Sequence, residues 1–158
     1  MEEELKSLEI YVRDIKNDII SKRILQIMQW NIKKADSNKK WYYILTFFSF
    51  LLNISIPVIN EFNAERKYIT IISALVTFLT GCLAIFNFKD SWYRYRKSTE
   101  EIKSECIKCA SNLEEYSVGN KEAILISKVE EINLQERKVW INTKFKSGEK
   151  KWITLKDF

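Results

Sequence analysis

Two cysteines at a C-x-x-C spacing, Cys106 and Cys109, are the side chains of this 158-residue sequence that most resemble a reactive site. Their spacing is that of half a zinc site or of a redox pair. The chain has no histidine, and no second cysteine pair exists to complete four zinc ligands. Both thiols also fall on an apolar helical repeat. The sequence therefore predicts buried core cysteines, with no metal and no cofactor.

The rest of the chain offers no catalytic constellation. The absence of histidine removes the usual general base at neutral pH. The three glycines, Gly81, Gly119 and Gly148, are too scattered for a phosphate-binding loop. Adjacent glutamates such as Glu100 and Glu101 lie in charged helical stretches, where solvated faces are far commoner than acid–base sites. We therefore expect no enzyme activity and assign no catalytic residue.

A different chemistry is suggested by polar side chains inside two uncharged windows. They recur at spacings that return to one face of a helix. Such stripes either pack helices closely through small and hydroxyl side chains, or line a water-filled pathway in an oligomer. The sequence favours packing and leaves pore lining open. The residues concerned are Thr46, Ser49 and Asn53 in the first window and Thr70, Ser73, Thr77, Thr80 and Asn87 in the second.

The two windows have the length of membrane spans. Residues 41–59 and residues 68–88 contain no charged side chain. As helices they reach roughly 28 and 31 Å, close to the hydrocarbon thickness of about 30 Å. The alternative is a pair of buried helices in a soluble bundle, but helices of that length normally keep a polar face. We predict two transmembrane helices joined by a short outer link at residues 60–67.

The flanks of both windows favour insertion into a lipid bilayer. Arg66 and Lys67 are the only basic residues of the link, whereas the segments before the first window and after the second are rich in lysine and arginine. The positive-inside bias therefore places both termini in the cytoplasm. The net charge of +5 is concentrated beside the windows, which fits anionic headgroups better than nucleic acid. Aromatic side chains that prefer the headgroup zone stand at the same borders. These predicted interfacial anchors are Trp41, Tyr42, Tyr43, Trp92 and Tyr93.

The remaining segments indicate a helical body around this hairpin. Residues 1–38 show the apolar spacing of one amphipathic cytoplasmic helix. Residues 89–138 predict a long helix leaving the membrane, a break near Gly119 as a left-handed cap, and a further helix. Residues 139–158 are rich in branched and aromatic side chains and predict a small terminal β-hairpin. The chain is thus expected to be a single-domain, all-α membrane protein with a C-terminal β-hairpin.

Three groups of short motifs resemble those of bacterial SLATT-type proteins, a two-transmembrane effector family. The resemblance covers about Lys22 to Trp140. The first group precedes the first span, the second follows the second span, and the third lies in the last helix. Their residues are Arg23 to Gln26, Gln29, Trp30, Lys33 to Ala35 and Lys40 to Tyr43; Phe88, Lys89, Trp92, Tyr95, Arg96 and Glu105; and Val129 to Ile132, Glu136 and Trp140.

The resemblance implies a function at the bacterial inner membrane. It implies a homo-oligomeric effector that permeabilises or depolarises the bilayer during phage defence, often paired with a nucleotide-signal synthase or sensor protein. An alternative is a membrane-anchored adaptor whose cytoplasmic helices recruit a soluble partner while the spans only tether it. Replacing both spans by unrelated polyleucine helices would leave an adaptor working and would abolish a pore.

Overall fold

The computed structural model describes residues 2–61, 66–117 and 119–153, with side chains described except at residue 114 and from residue 139 onward. Every regular element in these ranges is helical, which confirms the all-α prediction with two long apolar helices. The elements are α1 (Glu2–Ser7), α2 (Glu9–Val12), α3 (Asp18–Glu61), α4 (Arg66–Phe86), α5 (Phe88–Ala110), a 3-10 turn (Glu114–Ser117) and α6 (Lys121–Ile153).

The chain divides into two compact units. The bundle unit comprises Met1–Lys33 and Arg94–Phe158, and the span unit comprises Lys34–Tyr93. A single apolar core fills the bundle unit, and side chains from α3, α5 and α6 meet in it. Burying each large aliphatic side chain contributes about 1.5–3 kcal/mol, so this core is the main source of stability of the unit. Its most completely buried large members are Leu8, Ile24, Met28, Ile32, Ile102, Leu125 and Val129.

The helix expected over residues 1–38 is interrupted between α2 and α3. The Asn17 side-chain oxygen accepts the backbone N–H groups of Ile19 at 3.0 Å and Ile20 at 3.4 Å, and so caps the start of α3. The Glu122 carboxylate, from α6, accepts the N–H of Lys16 at 2.7 Å and that of Asn17 at 3.2 Å. Apolar periodicity alone did not indicate this break, because a distant acid satisfies the backbone there.

Two further breaks lie at asparagines with left-handed backbone. Asn87 has φ of 46° and separates α4 from α5, so the helix predicted to leave the second window does not continue from it. Asn112 has φ of 51° just beyond the end of α5. Asparagine tolerates this region better than other non-glycine residues. Gly119 has φ of 85°, which confirms its predicted left-handed conformation before α6.

The predicted C-terminal β-hairpin is wrong over residues 139–153, because α6 continues through them to Ile153. The last residues of that prediction, 154–158, lie outside the described residues. Branched side chains favour strands only where a sheet offers them neighbours, whereas lysine and glutamate in the same stretch are good helix formers. A lone two-stranded hairpin is marginal in water, and extending an existing helix avoids a new nucleation step.

Candidate functional site

The apolar windows of α3 and α4 expose large hydrophobic side chains. None of the residues in either window is buried inside the chain. Phe47 in α3 is 59% exposed and Phe78 in α4 is 66% exposed. Soluble monomers rarely expose contiguous apolar surface of this extent. Both helices are long and apolar enough to cross a membrane.

Each of these helices has one partly shielded face, which is mainly apolar. Most of its members recur every three or four residues; they are Tyr42, Leu45, Ser49, Leu52, Ser55, Ile56 and Ile59 in α3 and Ile69, Ile72, Val76, Leu79, Gly81, Cys82 and Leu83 in α4. The polar residues singled out in α4 lie off this face and are exposed, as is Asn87 beyond its end. In α3, Ser49 is half-buried while Thr46 and Asn53 are exposed. The hydroxyl stripe of α4 (Thr70, Ser73, Thr77 and Thr80) is therefore an open face of the span unit.

The hydroxyl groups of this stripe are bonded to the backbone of their own helix. Thr70 donates to the carbonyl of Arg66 at 3.1 Å, and each of the other three donates to the carbonyl four residues earlier at 2.8–2.9 Å. Asn53 likewise donates to the carbonyl of Ser49 at 2.8 Å in α3. Back-bonding of this kind satisfies the donor without any partner helix or water. The stripe can therefore face lipid at little cost.

Several predicted interfacial anchors meet at one end of the span unit. The rings of Tyr43 in α3 and Trp92 in α5 have centroids 6.4 Å apart, and Tyr42 packs on Tyr43 at 5.5 Å. The Lys39 ammonium lies 5.4 Å from the centre of the Trp92 ring. Trp41 and Tyr93 are exposed. Aromatic rings and a cation placed together suit the headgroup zone of a bilayer.

The cysteine pair belongs to the apolar core. Cys106 and Cys109 are 2% and 4% exposed, and both are free thiols. Burial raises the pKa of Cys106 to about 12, with Cys109 and Glu105 adding to the effect. Because the thiolate is the reactive form, such a cysteine is inert at neutral pH. No cluster of metal-ligating side chains occurs among the described residues.

The bundle unit also contains a cavity, lined by both apolar and polar side chains, that was not predicted from the sequence. It has a volume of about 210 Å³ and lies where α3 faces α6. From α3 it is lined by Arg23, Gln26, Ile27 and Trp30, and from α6 by Asn133, Glu136 and Arg137. The only signal in the sequence was helical spacing, which places each of these two sets on one face. The pairing of these two faces depends on the tertiary packing of α3 against α6, which spacing within each helix does not reveal.

Ion pairs and an aromatic contact fix the walls of this cavity. The Nε of Arg23 donates to Glu130 at 2.8 Å. The Nε of Arg94 lies 3.7 Å from the Glu136 carboxylate, and both side chains are largely buried. Burial raises the pKa of Glu136, against the opposing charges of Arg94 and Arg137. Trp30 meets the ring of Tyr95 edge to face at 5.4 Å.

Comparison with known proteins identifies one family. Its model matches residues 26–123, more than half of the chain, and its description is "Protein of unknown function (DUF4231)". No curated protein matches the chain, and neither does any solved structure. The matched range includes both apolar windows and ends in the first turn of α6.

Proposed function

We propose that this chain, which belongs to the DUF4231 family of proteins of unknown function, is a two-pass inner-membrane effector. It forms homo-oligomers that permeabilise or depolarise the bilayer in a bacterial defence response. The defence role rests on the resemblance of its motifs to SLATT-type proteins. A nucleotide-signal synthase or sensor protein is the partner that this resemblance implies.

The exposure of two long apolar helices is the observation that supports the proposal most directly. Their windows contain no buried residue, and phenylalanines project from both helices. In water, this surface would cost about 25 cal/mol per Å² of apolar area. A lipid bilayer removes that cost. The basic flanks before the first window and after the second favour both termini in the cytoplasm.

The hydroxyl stripe of α4 supports association into a pore. Its four residues lie off the shielded face, so they are available to another copy of the chain. Each hydroxyl donates to its own helix but keeps acceptor lone pairs, which water can use. The same stripe is thus tolerable in lipid and wettable in an assembled oligomer. Activation would shift the population from a state in which the stripe faces lipid to an oligomer in which it faces water.

The test is the membrane potential of bacteria that express the chain from an inducible promoter. The wild type is compared with a variant in which Ser73, Thr77 and Thr80 are changed to leucine. A matched control changes three exposed apolar residues of the same helix conservatively: Ile71→Leu, Leu75→Ile and Phe78→Leu. Membrane insertion and expression are verified for all three chains.

A pore lined by α4 predicts that the wild type and the control depolarise the cells and that the hydroxyl variant does not. Equal depolarisation by all three chains would remove α4 as the lining. If none of them depolarises the cells, even with the partner co-expressed, the adaptor becomes the better explanation.

The adaptor is kept as a second candidate because of the back-bonded hydroxyls. Since every donor of the stripe is already satisfied, the spans need neither water nor a partner helix to be stable. In that case the bundle unit would carry the function. Exchange of both windows for polyleucine helices separates the two candidates, because an adaptor tolerates it and a pore does not.

A further inference from the structure

We infer that the bundle unit holds a binding site for a small aromatic anion, in the cavity between α3 and α6. Trp30 stacks on the ring of the ligand, and Arg137 together with Arg23 binds its charged group. The inference goes beyond the proposed membrane function, because every residue that carries it lies outside the span unit.

Trp30 provides the aromatic wall of the site. Its side chain lines the cavity and is 47% exposed, whereas the large residues around it on α3, Ile27 and Met28, are buried. The edge-to-face contact with Tyr95 holds the indole in place. An exposed, immobilised indole loses little conformational entropy when a planar group stacks on it.

Two arginines provide the positive charge. Arg137 lies on the α6 side of the cavity and forms no ion pair within the described part of the chain. Arg23, on the α3 side, uses its Nε for Glu130, which leaves the other N–H groups of its guanidinium as donors. Guanidinium groups bind carboxylate and phosphate oxygens in a bidentate manner. The site thus has cationic donors on both of its helices.

The local charge balance favours an anion over a cation. Among the described residues, the ionic side chains that line the cavity and their ion-pair partners are Arg23, Arg94 and Arg137 against Glu130 and Glu136, which leaves one net positive charge. The Nε of Arg94 lies 3.7 Å from the Glu136 carboxylate, so its positive charge opposes the negative charge within the site. Burial also raises the pKa of Glu136, which further disfavours its charged form.

The size of the cavity limits the ligand. At about 210 Å³ it is smaller than the roughly 300–1,000 Å³ of sites for drug-sized molecules. It suits one ring with one anionic group. The side-chain amides of Gln26 and Asn133, on opposite walls, can then fix the orientation by hydrogen bonds.

The experiment uses the full chain in detergent micelles and measures the binding of three probes by ligand-observed saturation-transfer NMR. Phenyl phosphate carries both a ring and a charge, phenol carries the ring alone, and inorganic phosphate carries the charge alone. We expect millimolar binding of phenyl phosphate and at least tenfold weaker binding of the other two. Equal binding of phenol and phenyl phosphate would indicate partition into the micelle and overturn the proposal.

Matched variants locate the site. Arg137→Gln and Trp30→Leu should each weaken the binding of phenyl phosphate about tenfold or more, while Trp30→Phe keeps a ring and most of the affinity. Arg13→Gln, an exposed arginine of the same unit outside the cavity, should change nothing. Circular dichroism verifies folding of each variant. Loss of affinity in Arg13→Gln equal to that in Arg137→Gln, or no binding by the wild type, would refute the site.

Discussion

The phenol of Tyr116 donates a hydrogen bond of 2.7 Å to the carboxylate of Glu105. Tyr116 lies in the 3-10 turn and Glu105 in α5, and Glu105 also accepts a hydrogen bond from Lys108 at 3.2 Å. Burial acts to raise the pKa of Glu105, but these two hydrogen bonds and the charges of Lys108 and Lys128 outweigh it and lower the pKa. The ionised carboxylate is therefore part of the folded structure.

The change Tyr116→Phe should lower the free energy of unfolding by about 1–2 kcal/mol at pH 7, since it removes a donor from a largely buried carboxylate. The folded-state pKa of Glu105 lies below its unfolded value near 4.5, so its contribution is present above that value and is lost as the pH falls through the folded pKa. Urea unfolding at several pH values measures both effects. Acid should destabilise the wild type more than the variant, and parallel pH profiles would contradict this.

Asn31 and Ser98 form a buried polar contact within the bundle unit. The Asn31 amide donates to the Ser98 hydroxyl at 3.3 Å, and the two residues are 2% and 4% exposed. Asn31→Ala should cost about 1–3 kcal/mol, because it leaves a buried hydroxyl without this donor. The double change with Ser98→Ala should cost less than the sum of the single changes. A double-mutant cycle with a coupling energy near zero would show that the contact contributes nothing.

Two isoleucines of α5 provide a matched test of the core. Ile102 is fully buried, whereas Ile107 is 53% exposed. Ile102→Ala should destabilise the bundle unit by about 2–5 kcal/mol, through lost burial and the cavity that remains. Ile107→Ala should change the free energy of unfolding by less than about 0.5 kcal/mol. Chemical denaturation followed by circular dichroism measures both, and similar losses would mean that the core is assigned wrongly.

The left-handed backbone at Gly119 predicts a conformational penalty. A Cβ added there meets no atom within 4 Å, so strain at φ of 85° is the only cost of a side chain. Gly119→Ala should lower the melting temperature through about 1 kcal/mol of strain. Gly119→Asn should lower it less, since asparagine adopts this conformation more readily. Equal effects of the two substitutions would argue against the left-handed turn.

The sequence predicted those features that follow from local pattern. Two uncharged windows predicted two long apolar helices, and the isolated glycine at position 119 predicted a left-handed turn; both are confirmed. The helical repeat through Cys106 and Cys109 predicted that these thiols are buried, which is also confirmed. Each of these features depends on residues close to one another in the chain.

The features that the sequence did not predict depend on distant partners or on competing local choices. The break before α3 involves Glu122, more than a hundred residues away from Lys16. The break at Asn87 depends on a single residue adopting a left-handed backbone. Strand propensity in residues 139–153 was overruled by extension of a helix. The cavity lined by Trp30 and Arg137 required the pairing of α3 with α6, which apolar spacing does not reveal.

The hydrogen bonds between Glu122 and the backbone before α3 can form only late in the synthesis of the chain. The core of the bundle unit joins residues 8–32 with residues 102–129, and the whole span unit is synthesised between them. At about 5–20 residues per second, translation leaves the N-terminal helices without their partners for several seconds. During that interval their apolar faces are open to chaperones. The N-terminal helices can therefore complete this core only after the span unit has been synthesised.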